Sequence, residues 1–144
     1  MKWVDRCFGS VMLSRLPADV IVIDNGSTDG TREYIKEYFP DVMLVSTGEN
    51  LGFGRANNIG FRHALKHGYE YVYLLNQDAW VFPDTFGILV KAMEDDRSLG
   101  ILSPMQMAAC LDRPDPRFEK RCPKAALRDM DSRWRSGKVY GVRF

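Results

Sequence analysis

Apolar positions near the start of the chain recur with the period of a helix. Trp3, Val4, Cys7, Phe8, Val11, Met12 and Leu16 form one stripe, and Pro17 ends it. Val20-Ile21-Val22-Ile23 follows, a β-branched run without polar alternation, the pattern of a parallel strand buried on both faces. Asp24-Asn25-Gly26 is a turn signal. A second helix is expected next, capped by Ser27 or Thr28, with Asp29 and Glu33 at its positive end. Tyr34, Ile35, Tyr38 and Phe39 are its apolar stripe, and Pro40 stops it. Val42–Val45 is a second strand ending in Ser46-Thr47-Gly48. The loop Gly48–Gly54 leads into a third helix with Phe53, Asn57, Gly60 and Ala64 on one face, stopped by Gly68 after His67. Tyr71–Leu75 is a third strand ending in Asn76-Gln77-Asp78. Pro83 opens a fourth helix with Phe86, Leu89, Val90 and Met93 inside. Gly100–Met107, interrupted by Pro104, is expected at a sheet edge, and Val139–Phe144 is a final strand.

Helix and strand alternate throughout. That order predicts an α/β fold: a Rossmann-like, open, mostly parallel sheet with helices on both faces and right-handed crossovers. Such folds open on a strand, whereas this chain opens on a helix, so a first strand is expected to be missing. With 144 residues, 45% hydrophobic and 27% charged, the composition is that of one globular domain and excludes wholesale disorder. A net charge of +1 is too balanced for a protein that coats nucleic acid, so no nucleic-acid partner is expected. Cys7, Cys110 and Cys122 form no C-x-x-C pair and read as free thiols in a reducing cytoplasm. No apolar run reaches a membrane span, and the N-terminus carries no signal-peptide core. Charge does divide the chain: residues 112–144 carry a net of +5 and residues 1–111 a net of −4. Residues 1–108 are expected to be the packed core and 109–144 a basic tail. The tail reads either as a solvated surface or as a contact for an anionic partner, such as a lipid surface or a phosphorylated substrate.

Ligands of open parallel sheets sit beyond the carboxyl ends of the strands. Three strand ends are polar there: Asp24-Asn25, Ser46-Thr47 and Asn76-Gln77-Asp78. Asp24 and Asp78 can accept from ring N–H groups or ribose hydroxyls, or hold a divalent cation, and Asp78 suits the cation best. The structural alternatives are turn chemistry for Asp24-Asn25 and a helix cap for Asp78. Gly48–Gly54 can present backbone N–H groups to phosphate, but it lacks the order of a P-loop or dinucleotide fingerprint. Asn57 and Asn58 suggest a hydrogen-bonding duty, the alternative being local backbone satisfaction. His63 and His67 share a helix face but have no evident third zinc ligand.

Three ordered blocks carry a family resemblance. V-I-V-I-D-N-G-S-T-D-G-T (Val20–Thr31), E-N-L-G-F-G-R-A-N-N-I-G-F (Glu49–Phe61) and Y-V-Y-L-L-N-Q-D-A-W-V-F-P-D (Tyr71–Asp84) resemble family-2 glycosyltransferases of the GT-A fold, especially the rhamnosyltransferase-like branch. The resemblance implies that Asp24, with Asn25, Gly26 and Ser27 beside it, binds the nucleotide base or ribose. It implies that Gly52, Arg55 and Asn57 close over the nucleotide. Asn76-Gln77-Asp78 stands where the family has its D-x-D-type motif: Asn76 would meet the ribose and Asp78 a Mg²⁺ or Mn²⁺ on the diphosphate. The implied activity is inverting transfer from a UDP-, dTDP- or GDP-linked sugar to a saccharide or lipid-linked saccharide acceptor, in bacterial cell-envelope polysaccharide synthesis. The implied location is cytoplasmic, with peripheral contact at the inner face of the membrane through the basic tail. The family's catalytic base has no recognisable counterpart among Asp112, Asp115, Glu119, Asp129 and Asp131. The chain is therefore expected to be a donor-binding part, with a non-catalytic nucleotide-sugar-binding module as the alternative. A receiver-like domain is disfavoured by the three blocks.

Overall fold

The computed structural model describes residues 2–111, 113–122 and 124. They fall into two compact units divided between Pro83 and Asp84. The first holds α1 (Val4–Met12), β1 (Ile21–Asp24), α2 (Thr31–Tyr38), β2 (Met43–Ser46) and α3 (Phe53–His67). The second holds α4 (Thr85–Asp95) and α5 (Pro116–Arg121). The chain is α/β, as its alternating pattern predicts. Among the described residues, no helix is long and apolar enough to cross a membrane.

β1 and β2 pair in parallel, with Val22 opposite Leu44 and Asp24 opposite Ser46. Side chains alternate across a strand, so Val22 and Leu44 share one face. That face meets a cluster of Val4, Cys7 and Phe8 from α1 and Ile35 from α2. Phe39 closes the cluster edge-on to Phe8, ring centroids 5.0 Å apart. Helix α2 packs on β2 and α3 on β1. Of the α1 stripe, Trp3, Met12 and Leu16 stay exposed; the helix ends at Met12, four residues before the expected limit.

The third expected strand is not one. Tyr71–Leu75 keeps the alternation of a strand, with Val72 and Leu74 exposed between half-buried Tyr71, Tyr73 and Leu75. It belongs to no ladder among the described residues, and the sheet has two strands. Strand status needs a paired neighbour, and among the described residues β1 pairs with β2 alone. Leu75 still packs against the α1–α2 cluster.

Two helix starts shift. α2 begins after Gly30 in the left-handed region, not at Ser27 or Thr28. Asp29 supplies the side chain instead, accepting from Thr31 N–H at 3.2 Å and from the Thr31 hydroxyl at 2.5 Å. These bonds hold the Asp29 carboxyl below its ordinary range. α4 begins after Asp84, so Pro83 stands outside the helix. Its carbonyl accepts from Arg15 N–H at 2.9 Å.

In the second unit, Gly100–Met107 forms no strand. Pairing there is one antiparallel bridge, Met107 to Pro114, and Pro104 and Pro114 bring no N–H to extend a ladder. The chain reverses through Leu111, whose φ is +58°. Asp115 caps α5, accepting from Arg117 N–H at 2.8 Å and Phe118 N–H at 3.3 Å. The expected strand Val139–Phe144 lies outside the described residues, as do Asp112, Asp129 and Asp131.

Candidate functional site

The parallel pair brings Asp24 and Ser46 side by side at the carboxyl ends of β1 and β2. Asp24 is buried, its side chain 2% exposed. One carboxylate oxygen accepts from Ser27 N–H at 3.1 Å and the other from the Ser46 hydroxyl at 3.1 Å. Arg32 Nε lies 3.8 Å from that second oxygen, and Arg32 Nη1 donates to Ser46 Oγ at 3.4 Å. A buried carboxylate is tolerable only when paired and hydrogen-bonded, and Asp24 is both. It is the hub that holds the turn after β1 against the end of β2.

The neighbouring loop is drawn onto the same rim. Thr47 N–H donates to the Asp24 carbonyl at 3.0 Å, and the Thr47 hydroxyl lies 2.6 Å from the Glu49 carbonyl. Asn25 Nδ2 donates to Asn50 Oδ1 at 2.9 Å. Asn25 Oδ1 accepts from Leu51 N–H at 2.8 Å, and Asn50 Oδ1 also accepts from Gly52 N–H at 2.9 Å. Gly26 sits beneath this contact at φ +90°; a Cβ there would lie 2.9 Å from the Glu49 carbonyl carbon and 3.0 Å from Asn50 N. Only glycine tolerates both the conformation and the approach.

The structure thus gathers Asp24, Asn25, Gly26, Ser27 and Gly52 into one cluster. Gly52 is the N-cap of α3, and its carbonyl accepts from Ala56 N–H at 3.1 Å. Arg55 is exposed on the first turn of α3. Asn57 is half-buried and donates to the Phe53 carbonyl at 3.0 Å, so its side chain serves local backbone. Sequence reading placed Ser46 at the polar rim without a role and did not single out Arg32 or Asn50 as site residues. Asn50 had a signal: Asn-x-Gly ahead of a helix favours a side chain that bonds its own backbone two residues on.

Asn76 and Asp78 stand on a turn attached to α1. The Asn76 carbonyl accepts from Ala79 N–H at 3.0 Å and from the Cys7 thiol at 3.6 Å. Arg6 stacks over the Trp80 ring, 3.4 Å from its centroid. The Ser10 hydroxyl accepts from Val81 N–H at 3.1 Å while donating to the Cys7 carbonyl at 2.7 Å. Burial, and then the charge of Asp78, push the Cys7 thiol up to about 11. Asp78 itself is exposed.

Among the described residues, no three His, Cys, Asp or Glu side chains gather as a metal cage. His63 and His67 stack at 4.0 Å between centroids, and His67 Nδ1 is spent on the His63 carbonyl at 2.8 Å. Mg²⁺ at nucleotides usually takes one or two carboxylates and fills its shell with phosphate and water. Asp78 fits that share, as one carboxylate open to an incoming ligand.

Residues 2–134 match the sequence profile of glycosyl transferase family 2. Over 56 residues the chain is 43% identical to an N-acetylglucosaminyl-diphospho-decaprenol L-rhamnosyltransferase of Mycobacterium tuberculosis, covering 38% of this chain and 18% of that protein. It is 30% identical over 102 residues to chondroitin synthase of Escherichia coli, covering 68% of this chain and 14% of the synthase. An uncharacterized protein of Methanocaldococcus jannaschii is 30% identical over 88 residues, covering 58% of this chain and 38% of its own length. The chain thus spans a minor part of the length of the curated relatives it matches.

Proposed function

We propose that this chain, which belongs to glycosyl transferase family 2 and so to the GT-A fold, supplies the nucleotide-sugar donor site of a sugar-transfer enzyme. One observation carries the reading: the polar cluster of Asp24, Ser46 and the Asn25–Asn50 contact stands at the carboxyl ends of two parallel strands, where open α/β sheets bind ligands. The donor is a nucleoside diphosphate sugar. Asp24, Asn25, Gly26 and Ser27 form the wall toward base and ribose, and Gly52, Arg55 and Asn57 the wall on α3. Asn76 and Asp78 form the diphosphate side, and Asp78 is the carboxylate that would meet a Mg²⁺ or Mn²⁺ carried on the phosphates. A bound cation would offset charge on the departing nucleoside diphosphate.

The reaction is transfer with inversion to a saccharide hydroxyl in cell-envelope polysaccharide synthesis. A lipid-linked saccharide as acceptor is supported by the M. tuberculosis relative, whose name specifies a diphospho-decaprenol acceptor. With that acceptor class, the site works at the cytoplasmic face of a membrane. Calorimetric titration of UDP, dTDP and GDP with Mn²⁺ present tests the reading. Saturable binding of at least one is expected; no heat from any of them, with folded protein, overturns the donor site. Donor binding without transfer to any acceptor would favour a binding-only module.

A further inference from the structure

We infer that Asn25 and Asn50 are a matched pair of positioning residues, an amide clasp that presets the Glu49–Gly52 loop for the donor. The inference rests on the donor reading above and assigns these two side chains to shaping the site. Its basis is that the hydrogen bonds dictate both amide orientations. Leu51 and Gly52 present backbone N–H groups, which can only donate. Leu51 therefore fixes the Asn25 oxygen toward itself at 2.8 Å. Gly52 likewise fixes the Asn50 oxygen at 2.9 Å. The Asn25 amide nitrogen is then left to face the Asn50 oxygen at 2.9 Å, a donor meeting an acceptor. Flipping either amide would set two donors or two acceptors against each other.

Two hydrogen bonds thus join the turn after β1 to the residues that lead into α3, across 25 and 26 positions of sequence, and a third, from Gly52 N–H to Asn50, holds the loop itself. Gly26 admits the close approach, since a Cβ would meet Glu49 and Asn50 backbone. Asn50 is exposed and Asn25 half-buried, so core packing does not hold the loop in place. Preorganisation matters here because a loop that must be ordered on binding subtracts its ordering cost from affinity.

The clasp is chemically asymmetric, and that makes it testable. Asn50 uses only its oxygen, as a double acceptor, so Asn50→Asp keeps both bonds. Asn25 uses both ends, so Asn25→Asp loses the donor and sets a carboxylate against the Asn50 oxygen. The two variants change charge equally. The experiment measures amide hydrogen exchange at Leu51 and Gly52, together with calorimetric titration of UDP, dTDP and GDP, in the parent and both variants. The expected result in Asn50→Asp is parent-like protection at both amides. In Asn25→Asp the carboxylate still accepts from Leu51 N–H, but the Asn50 amide turns its nitrogen toward it and releases Gly52, so lost protection at Gly52 should accompany affinity weakened about tenfold, the scale of one such hydrogen bond. Thermal melts of the three proteins should nearly coincide, which a merely structural role would not give. Like exchange in the two variants overturns the clasp. Asymmetric exchange with unchanged nucleotide affinity overturns its service to the donor. A parent that binds no nucleoside diphosphate brings down the donor reading itself, while exchange still decides the clasp.

Discussion

Asp24 and Asp78 are both aspartates one strand-length from a turn, yet their surroundings set them to different tasks. Asp24 is enclosed and spends its oxygens on Ser27 and Ser46 with Arg32 alongside. Asp78 is exposed, on a turn whose fixed contacts run through its neighbours to α1. Truncating Asp24 would leave the Ser27 and Ser46 donors stranded and confound binding with folding. Asp24→Asn is the cleaner change, because one amide oxygen still accepts from Ser27 and the amide nitrogen can donate to the Ser46 oxygen. It removes the charge facing Arg32 and should weaken nucleoside diphosphate binding equally with and without Mn²⁺. Asp78→Ala should leave the melting temperature unchanged and abolish the Mn²⁺ dependence of binding. Losing a charge-assisted contact costs about 1.5–3 kcal/mol, roughly ten- to a hundredfold in affinity. Calorimetry with Mn²⁺ and with chelator checks both. Equal metal dependence in Asp78→Ala and the parent would contradict the role given to Asp78.

Much of what the elements do could be read from their residues. Consecutive β-branched residues gave β1 away, and Gly68 stops α3 in the left-handed conformation a helix end favours. Where the reading missed, tertiary contacts decided. Tyr71–Leu75 has strand composition, but composition cannot supply a neighbour to pair with. The Ser27 hydroxyl was a plausible helix cap, but the chain needs Ser27–Gly30 to pass over Asp24 before α2 can start. The clustering of Asp24, Gly26 and the glycine loop at the candidate site was legible; the Asn25–Asn50 contact was not, because it joins residues far apart in sequence. Nor was the seam between α1 and the Asn76–Val81 segment, which depends on Cys7, Ser10 and Arg6 falling on one side of the helix. Cys7 reports on that seam. Its thiol is buried and pushed up to about 11 from an ordinary 9.0, so the folded protein disfavours the thiolate. At pH 8, Cys110, which is exposed, should react with a disulfide reagent well ahead of Cys7. The linked stability is fully present below pH 9.0 and is lost as pH rises toward about 11, because the unfolded thiol ionises first. Mass-mapped labelling from pH 7 to 11 checks the order. Cys7 reacting as fast as Cys110 at pH 8 would show that α1 does not hold the segment closed.

At the scale of the whole molecule, the sheet of the first unit is small for the work it does. Two parallel strands of four residues each do not stand alone in water, so β1 and β2 depend on the helices packed against them. The helices in turn meet through few buried side chains: Val4, Cys7 and Phe8 of α1 and Ile35 of α2. Two consequences follow from that economy. Stability concentrates in the cluster, where Phe8 meets Phe39 and which packs on the Val22–Leu44 face. Phe8→Ala should therefore cost about 3–5 kcal/mol, a large share of the ~5–15 kcal/mol typical of a domain. The same economy leaves apolar surface outside, with Leu65 80% exposed and Val72 and Leu74 45% and 48% exposed. Among the described residues, each strand of the sheet pairs on one side. Exposed apolar side chains favour association between copies. The expected outcome is self-association that grows with protein concentration and carries ANS fluorescence with it, measured by sedimentation velocity. Leu74→Lys should lower both, since a charge in place of an exposed apolar side chain breaks up the apolar surface that copies would share. Its burial is incomplete in the parent, so the melting temperature should move little. Unchanged association in Leu74→Lys would show that the exposed Tyr71–Leu75 side chains are not what brings copies together, and would leave Leu65 as the side chain to vary.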